Sequence, residues 1–174
     1  MNQPKILIDT DKLYSRIKEL AGEINEYFGV NEPLNVICVL KGAAMFCTEL
    51  SKNLKMPLKF EYITLSSYGN STSSSGKVKS LNLNLPSFEN ENVLIVEDII
   101  DTGLTLNYLT EFIKNNCNPK EVKLAVMFNK EVKREFNLNP DFSAFEVDDK
   151  FIVGFGLDYQ GFYRNLDYIG YFDN

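Results

Sequence analysis

The sequence predicts an α/β fold, a mostly parallel twisted sheet flanked by helices, with a small cap on its C-terminal side. Short continuous apolar runs alternate with stretches whose apolar residues recur at helical spacing, the pattern of strand–helix–strand units joined by right-handed crossovers. The 174 residues, 44% apolar and 24% charged, suffice for one globular core. From residue 130 the composition becomes more polar, and beyond residue 142 more aromatic. One domain over 1–174 is therefore expected, with a core at about 5–128 and a cap at about 129–174.

A short apolar stretch at 6–8 opens the chain, and Leu13, Ile17, Leu20, Ala21, Ile24 and Phe28 then fall on one helix face. Residues 36–40 are an apolar run too short for a helix, and 43–54 read as a helix that stops before Pro57. The next strand is expected at 58–65. Ser, Gly, Asn and Thr dominate 66–79, which cannot bury enough surface to fold alone and should form a mobile loop. A strand at 93–96, a loop at 97–101, a helix at 102–116 stopped before Pro119, and a strand at 122–128 follow. Beyond residue 142 come short strand-like pieces such as 150–155, rich in aromatic residues. Ligands of open parallel sheets bind beyond the carboxyl ends of the strands, so the residues just after each strand carry the most weight.

The chain contains no histidine. That removes the Ser-His-Asp triad, histidine-ligated zinc and the HExxH metalloproteases, each of which needs an imidazole as base or ligand. Chemistry must rest on carboxylates, amines or hydroxyls. Cys38, Cys47 and Cys117 show no CxxC spacing and are too few for an all-cysteine zinc site, so they read as fillers in a reducing compartment. The net charge of −6 opposes nucleic acid as a partner, although a local basic patch can still hold a small phosphorylated ligand. No apolar stretch reaches the ~20 residues of a membrane span, because Lys41 interrupts the best run, and residues 1–9 lack the features of a signal peptide. A cytoplasmic protein that enters no membrane is expected.

The informative segment is VLIVEDIIDTGLTL at 93–106. Four apolar residues form a buried strand, and the chain then delivers Glu97, Asp98 and Asp101, followed by Thr102, Gly103 and Thr105 at a helix start. Backbone N–H groups of a tight turn at a helix N-terminus carry partial positive charge and can cradle a phosphate, with threonine hydroxyls as further donors. In the alternative, Asp101 and Thr102 simply cap the helix and the acids are a solvated loop. Asp101-Thr102-Gly103 is also the tripeptide of aspartic proteases, but those need two such loops in a β-rich fold. Neither GxxxxGK[ST] nor GxGxxG occurs, so a P-loop and a dinucleotide fold are unsupported.

The segment resembles the PRPP-binding motif of type I phosphoribosyltransferases, and EDIIDTGLTL is especially similar to the 6-oxopurine (hypoxanthine-guanine) branch of that family. LKGAAMF at 40–46, LSSYGNSTSSSG at 65–76, the Lys130 region and KFIVGFGLDYQGFYRNL at 150–166 resemble the same family in order, so the likeness spans nearly the whole chain. It implies the type I phosphoribosyltransferase fold with a hood to which the N-terminal segment contributes, and transfer of 5-phosphoribosyl from PRPP to hypoxanthine, with guanine as a second acceptor, aided by Mg2+.

Residue by residue, the resemblance implies Asp101 as the general base for the purine imidazole proton, a task a carboxylate can perform. It assigns the 5-phosphate cradle to the turn Asp101, Thr102, Gly103, Leu104 and Thr105. Glu97 and Asp98 resemble the acidic pair against the ribose hydroxyls, directly or through Mg2+, with Asp158 as a further metal contact. Lys41, Gly42, Ser67, Tyr68, Arg134 and Arg164 resemble the pyrophosphate contacts, and Lys130, Phe151, Ile152 and Asp158 the purine contacts. Taken alone, Lys41-Gly42 reads as an ordinary turn, Phe151 as a core residue and Arg164 as a surface charge. The loop at 66–76 resembles a lid that excludes water from a cationic sugar. Two departures stand out: Asn129 precedes Lys130 where many bacterial relatives carry Asp, and Glu131 follows it in place of a common Pro. The family implies a homodimer or homotetramer with PRPP and a 6-oxopurine as small-molecule partners. The rival reading is a PRPP- or nucleotide-sensing regulator on the same fold that binds nucleic acid.

Overall fold

The computed structural model describes residues 3–65, 83–100, 103–130, 138–148 and 150–172. Strand β1 (Lys5–Ile8) leads into helix α1 (Thr10–Phe28), which Asp9 caps by accepting a hydrogen bond from the Lys12 N–H at 2.9 Å. At the far end Gly29, at φ 72°, returns its N–H to the Asn25 carbonyl. Strand β2 (Leu34–Leu40), helix α2 (Ala44–Asn53) and strand β3 (Leu58–Thr64) follow, close to the ranges the apolar runs predict. Beyond the stretch 66–82, which includes the expected lid and lies outside the described residues, come β4 (Asn92–Ile100), α3 (Leu104–Asn116), β5 (Glu121–Lys130) and β6 (Phe142–Val147).

Strands β2 to β6 make a five-stranded sheet in the order β3-β2-β4-β5-β6, and every neighbouring pair is parallel. Side chains of a strand alternate between faces, so each buried strand here feeds two cores. Val36 and Cys38, Leu94 and Val96, and Ala125 and Met127 face one side, where Leu13, Ile17, Leu20 and Ile24 of α1 and Phe46 and Leu50 of α2 cover them. Ile37 and Val39, Val93 and Ile95, and Leu124 and Val126 face the other, under Leu106, Leu109 and Ile113 of α3 together with Phe88. The continuous apolar runs of the sequence are thus two-sided burial.

Three boundaries differ from the sequence expectation. β4 does not end at Val96 but runs to Ile100, so Glu97 and Asp98 stand on a strand rather than in a loop. Its pairing with β2 stops at Cys38↔Val96, whereas β5 continues alongside it through Ile100↔Asn129 and holds it extended. α3 begins at Leu104, after Gly103 at φ 78°, a left-handed conformation that glycine adopts without steric cost and that closes the strand-to-helix turn. The parallel sheet also continues past residue 128: β5 reaches Lys130 and β6 pairs with it from Ala125↔Phe142 to Lys130↔Val147. β6 thus shields the edge that β5 would otherwise expose.

A second sheet forms from the chain ends. Strand β8 (Ile169–Tyr171) pairs antiparallel with β1 on one side and with β7 (Ile152–Val153) on the other. The N-terminal segment so supplies one edge strand of this second sheet. Buried Ile152 and Phe155 join this layer to the α1 side of the main core, and Tyr14 of α1 meets Phe155 edge-on at 5.6 Å. Among the described residues no helix is long and apolar enough to cross a membrane.

Candidate active site

The order β3-β2-β4 places a switch point between β2 and β4. From β2 the chain turns through α2 on one face toward β3, and from β4 through α3 on the other face toward β5. The connections diverge and leave a crevice at the carboxyl ends of these two strands, the ordinary ligand position of an open α/β sheet. Lys41 and Gly42 leave β2 there, Glu97 and Asp98 line the end of β4, Gly103 opens α3, and Lys130 is the last residue of β5.

The contacts across this crevice are tight. The Leu40–Lys41 peptide is cis, Lys41 is exposed and Gly42 is buried. A Cβ on Gly42 would fall on the Asp98 carboxylate oxygen Oδ2, so the acid lies directly on the glycine backbone. On the other side a Cβ on Gly156 would fall on the Gly42 carbonyl oxygen, with Gly156 itself at φ 103°. Asp98, the loop after β2 and the hood turn at residue 156 thus form one stack in which two positions have room only for glycine. The requirement at Gly156 has only a faint trace in the sequence, the Gly154-Phe155-Gly156 spacing just before Asp158.

Each acid also takes up a backbone donor. Glu97 Oε1 accepts from the Asp98 N–H at 3.0 Å and Asp98 Oδ1 from the Ile99 N–H at 2.7 Å. Burial, followed by the hydrogen bond to and repulsion from Asp98, pushes the Glu97 carboxyl up to about 10, so Glu97 is protonated near neutrality. Two adjacent oxygen-donor side chains, one of them holding a displaceable proton, suit a hard divalent cation.

In the hood, Arg164 and Asp158 form an ion pair at 2.5 Å, and Arg164 also donates to the Gly156 carbonyl. The Gly156 N–H returns to the Arg164 carbonyl at 2.9 Å, and the second Asp158 oxygen accepts from the Gly161 N–H at 2.7 Å. Arg164 and Asp158 are therefore tied through Gly156 to the Lys41-Gly42 loop. Phe151 precedes β7 and is 59% exposed, whereas Ile152 is buried. Asn129, the departure before Lys130, donates to Glu146 Oε1 at 2.8 Å, a partner that an Asp there would repel.

Among the described residues no three His, Cys, Asp or Glu side chains gather as a metal site, so Glu97 and Asp98 are not joined with Asp158 in one ligand set. Leu104 and Thr105 lie in the first turn of α3, behind Gly103 at its N-terminus. Ser67, Tyr68, Asp101, Thr102 and Arg134, and the side chain of Thr105, lie outside the described residues.

A parallel sheet of this order, with an acidic strand end facing a Lys-Gly turn and a hood over both, defines a phosphoribosyltransferase, and the family model for the phosphoribosyl transferase domain matches residues 5–160. The chain belongs to the phosphoribosyltransferase family. It is 43% identical to the hypoxanthine-guanine phosphoribosyltransferase of Bacillus subtilis, over 95% of this chain and 91% of that one. A hypoxanthine-guanine phosphoribosyltransferase of Streptococcus thermophilus is 40% identical over the same shares. Of the solved structures, a hypoxanthine-guanine phosphoribosyltransferase of Bacillus anthracis with HEPES in its active site superposes with a TM-score of 0.86 at 36% identity, covering 98% of this chain and 100% of that one.

Proposed function

We propose that the protein transfers the 5-phosphoribosyl group of PRPP to hypoxanthine, and to guanine, releasing pyrophosphate and the nucleoside monophosphate. The observation that carries this reading is the seating of Asp98 on Gly42, which joins the acids suited to a ribose to the turn suited to its departing pyrophosphate. In this reading the segment Asp101 to Thr105, which leads into α3, holds the 5-phosphate through its backbone N–H groups. Lys41 and Arg164, with Ser67, Tyr68 and Arg134, bind the pyrophosphate, and Glu97 and Asp98 hold the ribose beneath it. Phe151 stacks on the purine, Lys130 donates to its 6-oxo group, and backbone groups around Ile152 with Asp158 meet its edge. As the sugar carbon leaves the pyrophosphate and joins the ring nitrogen, Asp101 accepts the proton from the purine imidazole.

Mg2+ commonly takes one or two carboxylates and completes its shell with substrate phosphates and water, which suits Glu97 and Asp98 on one side and Asp158 on the other. When bound it supplies charge neutralisation for the leaving pyrophosphate. Assembly as a homodimer or homotetramer and residence in the cytoplasm belong to the same proposal. Phe60 and Tyr62, stacked at 6.1 Å and exposed on the edge strand β3, suit a second copy. The test is product analysis: purified protein with PRPP, Mg2+ and hypoxanthine should yield inosine monophosphate and pyrophosphate in equal amounts. Hydrolysis of PRPP without nucleotide formation would overturn the reading.

A further inference from the structure

We propose that Tyr159 is a positioning residue for the purine, its ring holding Phe151 in the orientation that receives the base. The inference rests on the assignment of Phe151 as the stacking residue and extends it to a side chain with no role in that reading. At 59% exposure Phe151 is not fixed by burial. What meets it is another exposed ring: Tyr159, itself 46% exposed, lies 5.6 Å away with the planes 80° apart, the edge-to-face arrangement that aromatic quadrupoles favour. Tyr159 then meets Phe172 at 6.0 Å, and Phe172 meets Tyr163 edge-on at 5.4 Å. A row of four rings therefore runs from the purine side of the hood to the residue just after β8.

The backbone beneath Tyr159 is fixed as well. Its N–H donates to the Phe162 carbonyl at 3.1 Å, and the Phe162 N–H returns to the Tyr159 carbonyl at 3.0 Å. Between them Gln160 and Gly161 turn the chain at φ 52° and 86°. The Gly161 N–H also holds the Asp158 carboxylate. One closed turn thus sets both the carboxylate at the purine edge and the ring that touches Phe151.

An exposed Phe without such a neighbour populates several staggered rotamers, and a base that stacks on only one of them binds more weakly by the fraction in that rotamer. Losing the Tyr159 ring should therefore raise the KM for hypoxanthine about three- to tenfold. The KM for PRPP should stay unchanged, because no PRPP contact involves this ring.

The experiment is a double-mutant cycle on the full chain, with the KM for hypoxanthine and for PRPP measured separately in Tyr159→Leu, Tyr159→Phe, Phe151→Leu and the Phe151→Leu, Tyr159→Leu double variant. The expected result is a raised hypoxanthine KM in Tyr159→Leu, rescue in Tyr159→Phe, which keeps the ring, and no added effect of Tyr159→Leu once Phe151 is leucine. If Phe151→Leu raises the purine KM but Tyr159→Leu does not, the positioning role is wrong and the stacking assignment stands. If Phe151→Leu leaves the purine KM unchanged, the stacking assignment itself fails. A rise in both KM values, or failure of Tyr159→Leu to fold, would show a general structural role for Tyr159 and overturn the proposal.

Discussion

Replacing Gly42 by alanine sets a methyl group against Asp98. The new carbon would overlap Oδ2 and lie 2.5 Å from the carboxyl carbon, so turning the carboxylate cannot clear it and the side chain must move as a whole. In moving, Asp98 gives up the 2.7 Å hydrogen bond it accepts from the Ile99 N–H. A hydrogen bond to a charged group is worth about 1.5–3 kcal/mol, which corresponds to roughly a 10- to 150-fold change in a binding constant. Because Asp98 and the Gly42 loop are assigned to ribose and pyrophosphate, the loss should appear as a KM for PRPP raised about 10- to 100-fold, with the KM for hypoxanthine changed by no more than about threefold. Steady-state rates with each substrate varied in turn, and the denaturant midpoint as a check on folding, measure this. A folded Gly42→Ala protein whose KM for PRPP stays within about twofold of the parent would refute the packing argument.

Further expectations follow from neighbouring contacts. The folded value of Glu97 lies above its ordinary 4.5, so the stability this group contributes is fully present below about 4.5 and is lost as pH rises toward about 10. Glu97→Gln, neutral at every pH, should therefore raise the urea midpoint in EDTA at pH 8 while matching the parent near pH 4; equal midpoints at pH 8 would contradict the burial of a protonated Glu97. Arg164→Lys loses the guanidinium fork that joins Asp158 to the Gly156 carbonyl and should raise the KM for PRPP by about tenfold, as steady-state rates would show. At the opposite end of the sheet, Asp141 accepts from the Leu124 N–H at 2.9 Å and pairs with Lys123. Asp141→Ala should lower stability by about 1–2 kcal/mol in urea titrations and leave both KM values alone.

The sheet and its helices were legible because burial on two faces leaves a direct trace: the runs at 36–40 and 93–96 are apolar throughout, and the helix at 13–28 shows one apolar face. The end of β4 was not. Glu97 and Asp98 look like loop residues, and only pairing with β5 through Ile100↔Asn129 keeps them extended, a long-range fact that local composition does not carry. For the same reason β6 looked like part of the cap, since its alternating pattern Phe142-Ser143-Ala144 reads as a half-exposed strand without saying which sheet it joins. At the site, the acid pair could be picked out by its place after a strand, whereas Lys41-Gly42, an ordinary turn when taken alone, is marked only by the family resemblance. The contact between Gly42 and Asp98, the seat of Gly156 on Gly42 and the pairing of Arg164 with Asp158 could not, because each joins segments more than five residues apart whose side chains alone do not show that they meet.

The most direct test of the account is a set of initial rates with PRPP and Mg2+ for hypoxanthine, guanine, xanthine and adenine in turn, with Asp101→Asn beside the parent protein. Hypoxanthine should turn over fast, guanine more slowly or comparably and adenine little, and a folded Asp101→Asn protein should still bind PRPP but turn over far more slowly. No turnover with any purine, in a protein that still binds PRPP or a nucleotide, would contradict it and point to a regulator instead; near-normal rates in Asp101→Asn would remove the proposed base.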